Sequence, residues 1–158
     1  MTTHTAQPIA PRVLEELRDT DDAGRPAVPV TDPEGGAPLR CCLRRSAPGE
    51  RIALVSYAPL RRWAAATGAD PGPYDEQGPV FVHAGECEGP RDDGLPFTGS
   101  HRTVRRYGID GRILGGRLVR NPEDFEPAFA EAFADPAVAL VHVRAVEYGC
   151  FLYEVRRP

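Results

Sequence analysis

The chain has 158 residues, 41% of them hydrophobic, and a formal charge of -4 at neutral pH. That length allows one domain with a sizeable core. The negative balance argues against a general nucleic-acid backbone binder, and no apolar run is long enough to span a bilayer.

The 17 prolines and 16 glycines predict a turn-rich fold rather than a helical bundle. Residues 1–10 are expected to be disordered, and 11–158 to form a single α+β domain. The N-terminus has neither the basic start nor the apolar run of a signal peptide, so a cytoplasmic protein with reduced thiols is expected.

Pro11 to Arg18 reads as a short helix with Val13, Leu14 and Leu17 as its apolar stripe. Between 19 and 37 only Ala27 to Val30 resembles a strand. Leu39 to Arg44 and Arg51 to Ala58 read as an antiparallel hairpin across the turn Ala47-Pro48-Gly49-Glu50. One or two helical turns are expected around Trp63, then a Gly/Pro-rich loop over 68–78 that carries Tyr74. Val80 to Ala84 is a strong strand, followed by a long irregular loop over 85–100.

Thr103 to Tyr107 and Ile113 to Val119 flank the hairpin turn signal Asp110-Gly111. Asp124 to Ala134 is the best helix, with Phe125, Phe129 and Phe133 on one stripe and Asp135-Pro136 ending it. Ala137 to Ala145 and Cys150 to Arg156 make a last hairpin. Short turns join most strands. The expected architecture is therefore α+β: a curved, mainly antiparallel sheet with one principal helix and long loops.

The chemistry-bearing residues centre on Val80-Phe81-Val82-His83-Ala84-Gly85-Glu86-Cys87, where a strand delivers a histidine and, four residues on, a cysteine. His83 and Cys87 are candidate metal ligands. A structural zinc needs about four ligands, so others would have to join them in space, with His142 and Cys150 as candidates. Cys41 and Cys42 are adjacent, and on a strand they would point to opposite faces and could not easily share one ion. On that reading Cys41 is a buried structural thiol. Cys42, between Arg40 and Arg44, is the candidate for a lowered pKa and catalytic reactivity.

His142 alternates with Val138, Leu140 and Arg144, which puts it on a strand face expected to meet a cleft or solvent. His83 and His142 are the acid/base candidates. Arg40 and Arg144 could bind an anionic group, and Tyr57 or Tyr74 could donate a hydrogen bond to a developing oxyanion.

Three function classes follow: a small-molecule site, which could be enzymatic; a metal-stabilised module on His83 and Cys87; and a protein–protein interaction domain without catalysis, using Trp63, Phe97 and Tyr148. Nucleic-acid and membrane partners are not expected, and oligomeric state is not legible. No GxSxG, P-loop, HExxH or GxGxxG fingerprint is present.

Pro38-Leu39-Arg40-Cys41-Cys42-Leu43-Arg44, Pro48-Gly49-Glu50, Ser56-Tyr57, Pro73-Tyr74, Gly78-Pro79-Val80-Phe81-Val82, Val141-His142-Val143-Arg144 and Gly149-Cys150 occur in that order over most of residues 38–156. Together they resemble an uncharacterised bacterial family, the domain of unknown function numbered twelve hundred and three (DUF1203). The resemblance implies a small bacterial cytosolic domain and no activity. The family often has cysteine where this chain has Leu39, so the resemblance does not extend to a thiol there. It groups Arg40, Cys42, Tyr57, Tyr74, His83 and His142 for testing together.

Overall fold

The computed structural model describes residues 3–158. Met1 and Thr2, the first part of the segment expected to be disordered, lie outside the described residues. The element order is α1 (Pro11–Asp19), β1 (Val30–Asp32), β2 (Glu50–Tyr57), α2 (Pro59–Thr67), β3 (Gly78–His83), β4 (Arg102–Gly108), β5 (Ile113–Val119), α3 (Phe125–Ala134), β6 (Val138–Ala145) and β7 (Phe151–Arg156). This is an α+β architecture. The named strands pair antiparallel in two sheets, ordered β1-β2-β3 and β5-β4-β6-β7. No helix among the described residues is long and apolar enough to cross a membrane.

The chain divides into two compact units. One is Pro8–Tyr57 with Gln77–Asp92; the other takes the chain through Gln7, Ala58–Glu76 and Asp93–Pro158.

The first of these units carries the three-stranded sheet. Pro at the start of α1 costs no hydrogen bond there, and the helix buries Leu14 and Leu17. β2 is the central strand, with Ile52, Ala53 and Val55 buried, and β3 adds Val80 and Val82. Their register sets Ile52 opposite His83, so the histidine stands at the last pairing position of β3.

The expected strand over Leu39 to Arg44 is instead a tight turn. Leu43 N–H donates to the Leu39 carbonyl and Leu39 N–H to the Arg44 carbonyl, both at 2.9 Å, and Leu43 has a left-handed φ of 57°. Leu39, fully buried, anchors the turn by a parallel bridge to Phe81 of β3. Burial of this leucine and those local bonds outweigh the strand propensity of the segment. The expected strand at Ala27 to Val30 also moves: β1 begins only at Val30, where pairing with Ile52 becomes available.

In the second unit, α3 buries Phe125, Ala128, Phe129, Ala132 and Phe133. Pro127 is accommodated because it lies in the first helical turn, where its missing N–H has no intrahelical acceptor. The Asp110-Gly111 turn forms as expected. Gly111 has φ +86° and a Cβ there would meet Pro71 Cβ at 3.0 Å, so glycine serves both the conformation and the packing. Thr3 Oγ1 donates to Glu126, His4 Nδ1 lies 2.7 Å from the same carboxylate, and Gln7 N–H donates to the Glu154 carbonyl at 2.7 Å.

β6 lies between β4 and β7, and Leu140, Val141, His142 and Val143 are all buried. The outward face expected for His142 is therefore closed. His142 is 1% exposed, packed between the Tyr107 and Phe151 rings at 4.8 and 4.9 Å. Trp63 packs on Leu60, Tyr107 and Leu140, whereas Tyr148 is 89% exposed.

Candidate metal centre

The turn over 39–44 is what makes the site. On a strand, Cys41 and Cys42 would face apart; on the turn their Sγ atoms are 4.0 Å from one another. The turn is docked on β3 by Arg40 N–H, which donates to the Phe81 carbonyl at 2.9 Å. His83 then ends β3 with its ring against both thiols, and the loop after Gly85 returns Cys87 to the same point.

His83 Nδ1 lies 3.4 Å from Cys41 Sγ, 3.9 Å from Cys42 Sγ and 3.3 Å from Cys87 Sγ. The four ligand atoms all fall within 4.8 Å of one another. A tetrahedral zinc with bonds of about 2.3 Å to sulfur and about 2.0 Å to nitrogen spans roughly 3.8 Å between sulfurs and roughly 3.5 Å from sulfur to nitrogen. The donor set has close to those spacings. These four residues could hold a metal ion.

The surrounding groups orient them. Glu50 forms a two-point pair with Arg44, its Oε1 at 2.8 Å from Nη2 and its Oε2 at 3.3 Å from Nη1. Glu50 Oε2 also accepts from Ala47 N–H at 2.9 Å and lies 3.3 Å from His83 Nε2. A proton on Nε2 donated to Glu50 leaves the Nδ1 lone pair facing the sulfurs. The Arg44 guanidinium, with help from Ala47 and His83, pulls the Glu50 carboxyl down to about 2. His83 is fixed from the backbone side as well, because Arg18 Nε donates to its carbonyl at 3.0 Å.

The thiols are held as an unequal pair. The bond that Cys41 donates to Cys42 favours a Cys42 thiolate, and against burial it combines with the Arg44 backbone N–H and nearby positive charge to lower Cys42 to about 6. That same bond, with burial, pushes the Cys41 thiol up. His83 N–H also points at Cys41 Sγ, at 3.3 Å. The site thus favours the thiolate at Cys42 over Cys41 and has backbone donors for the sulfur charge that a bound cation would draw out.

Of the residues singled out from sequence, His83, Cys42 and Cys87 come together. Cys41 joins them, although on the strand reading Cys41 and Cys42 could not easily share one ion. Arg40 and Tyr57 belong to the same unit. Arg40 is only 3% exposed and donates to the Pro38 carbonyl, while Tyr57 ends β2 opposite Gly78.

His142, Arg144, Tyr74 and Cys150 belong to the other unit. There His142 Nε2 is 3.2 Å from Glu154. Arg144 Nη1 is 2.9 Å from Glu76 and its Nε donates to the Gly149 carbonyl at 2.8 Å. Tyr74 is 38% exposed at the end of a short 3-10 turn, and the Cys150 thiol faces the Tyr148 carbonyl at 3.9 Å.

A family model described as a protein of unknown function, DUF1203, matches residues 36–157. No curated protein and no solved structure matches the chain.

Proposed function

The chain belongs to the DUF1203 family, whose description names no activity, and we propose from the site itself that it is a metal-stabilised protein holding zinc through Cys41, Cys42, His83 and Cys87. One observation carries the reading: a histidine nitrogen faces three sulfurs at 3.3, 3.4 and 3.9 Å, close to the edges of a zinc tetrahedron. Three soft thiolates and an imidazole favour zinc over magnesium or calcium, which take oxygen ligands. Four protein ligands fill the coordination shell, which is the arrangement of a structural ion rather than a catalytic one.

In this role the ion clamps the 39–44 turn and the loop to Cys87 onto the end of β3. Glu50 positions His83, and Arg44 positions Glu50. A reducing bacterial cytoplasm suits the reading, because the thiols stay unoxidised there. The anion-binding reading is less well supported, since Arg40 is buried and already donates to a backbone carbonyl.

Elemental analysis of protein purified without an affinity tag tests the proposal. About one zinc per chain is expected, and cobalt substitution should give the visible spectrum of tetrahedral thiolate ligation. Metal-free protein with an unchanged melting temperature after zinc addition would overturn it.

A further inference from the structure

The unit built on the four-stranded sheet contains a half-buried cation with no charge partner. Arg106 of β4 pairs across the sheet with Gly115 of β5, and its guanidinium lies over that glycine. A Cβ at 115 would collide with Arg106 Nη2 and meet its Cζ at 3.1 Å, so the absence of a side chain there creates the berth. Glycine inside a strand often marks such a close approach. Arg106 Nε is buried and has no hydrogen-bond partner. Among the described residues, no carboxylate pairs with this guanidinium.

Arg106 lines a cavity of about 210 Å³ together with Val104, Gly116, Arg117, Ala128, Glu131 and Ala132. The floor is apolar: Val104, Ala128 and Ala132 are 1%, 3% and 2% exposed. At the rim Arg117 pairs with Glu131. The lining therefore holds two cations and one anion, and the uncompensated charge is that of Arg106. A partly desolvated cation without a partner is costly, and an anion that reaches it offsets that cost.

We infer that this cavity is a binding site for a small organic monocarboxylate with a short apolar body. The Arg106 fork takes the carboxylate, and Val104, Ala128 and Ala132 take the hydrocarbon. The volume equals the share of about seven water molecules, which suits an acid of roughly four to six carbons. One free guanidinium beside Glu131 matches one negative charge, so an inorganic phosphate dianion would leave a charge unmatched. This site is independent of the metal centre.

The test uses the full chain, with sodium butyrate as probe and butylamine and inorganic phosphate as controls. The readouts are the Arg106 Nε–Hε signal and the methyl signals of Ala128 and Ala132 by NMR. Butyrate should shift all three saturably and butylamine should shift none. Arg106→Met should weaken butyrate binding by at least about tenfold. Gly115→Ala keeps the charge but displaces the guanidinium, and it should weaken binding comparably. Because the wild-type titration needs no variant, a folding defect in either one leaves the test intact. No saturable butyrate shift in the wild-type chain, equal affinity in a folded Arg106→Met or Gly115→Ala variant, or tighter binding of phosphate than of butyrate would each overturn the inference.

Discussion

Cys41 and Cys42 are neighbours in sequence whose sulfurs sit 4.0 Å apart on the same side of a turn. That relation needs the left-handed Leu43 and the buried Leu39, which bend the chain between Pro38 and Arg45. A metal bound here adds to the stability that Leu39 and the local hydrogen bonds already give the turn, and it ties in the loop to Cys87. Chelation should then lower the unfolding free energy by about 2.7 kcal/mol or more, the shift for a ligand at a hundredfold of its Kd. Denaturant titration with and without a strong chelator measures this. Cys87→Ser, at the half-buried ligand, should lower the zinc content in the same elemental assay.

Glu50 touches His83 but none of the sulfurs in the hydrogen bonds described above. Glu50→Gln should therefore weaken zinc binding by about 10–100-fold, the usual effect of removing a carboxylate that orients a ligating histidine. The chain should remain folded. Competition with a chromophoric chelator reads the affinity, and near-UV circular dichroism reads the fold. Unchanged affinity would mean that His83 does not depend on this partner.

His142 is buried, which pushes its imidazole pKa below the ordinary 6.5; Glu154 opposes that shift, and Arg144 and Arg105 reinforce it. The folded state then binds a proton less readily than the unfolded state. Its contribution to stability is complete above about pH 6.5 and is lost as pH falls from there towards the folded pKa. The wild-type stability curve should drop through that window, and His142→Gln should flatten part of the drop. An NMR titration in which His142 protonates at or above the ordinary histidine value would contradict this.

Phe129 is fully buried on α3, with its ring 5.7 Å from His4 and 6.4 Å from Phe125. Phe129→Ala should cost about 3–5 kcal/mol through lost burial and the cavity left behind. Urea unfolding gives the value. A loss below about 1 kcal/mol would mean that α3 does not carry the core of this unit.

Helices and strands were legible where periodicity was long. The phenylalanine stripe of α3, the Pro-initiated α1 and the hairpin across Asp110-Gly111 all follow from spacing and turn chemistry. The candidate metal centre was only half legible. His83 and Cys87 announced themselves by sitting just past an apolar strand. Cys41 and Cys42 did not, because alternation over Leu39 to Arg44 looks the same for a strand and for a turn pinned by one buried leucine. His142 misled for a related reason: a polar residue in an apolar strand suggests an open face, but Glu154 and two aromatic rings satisfy it inside the sheet.

By itself the amino-acid order determined the α+β class, the antiparallel pairing and the location of most elements, since those depend on local period and turn residues. Only the tertiary structure decided which side chains meet: three thiols on one imidazole, and a guanidinium over a glycine. Such meetings depend on bends and on pairings between distant segments, where a single φ angle or one register position redirects a side chain, and no short window of sequence carries that information.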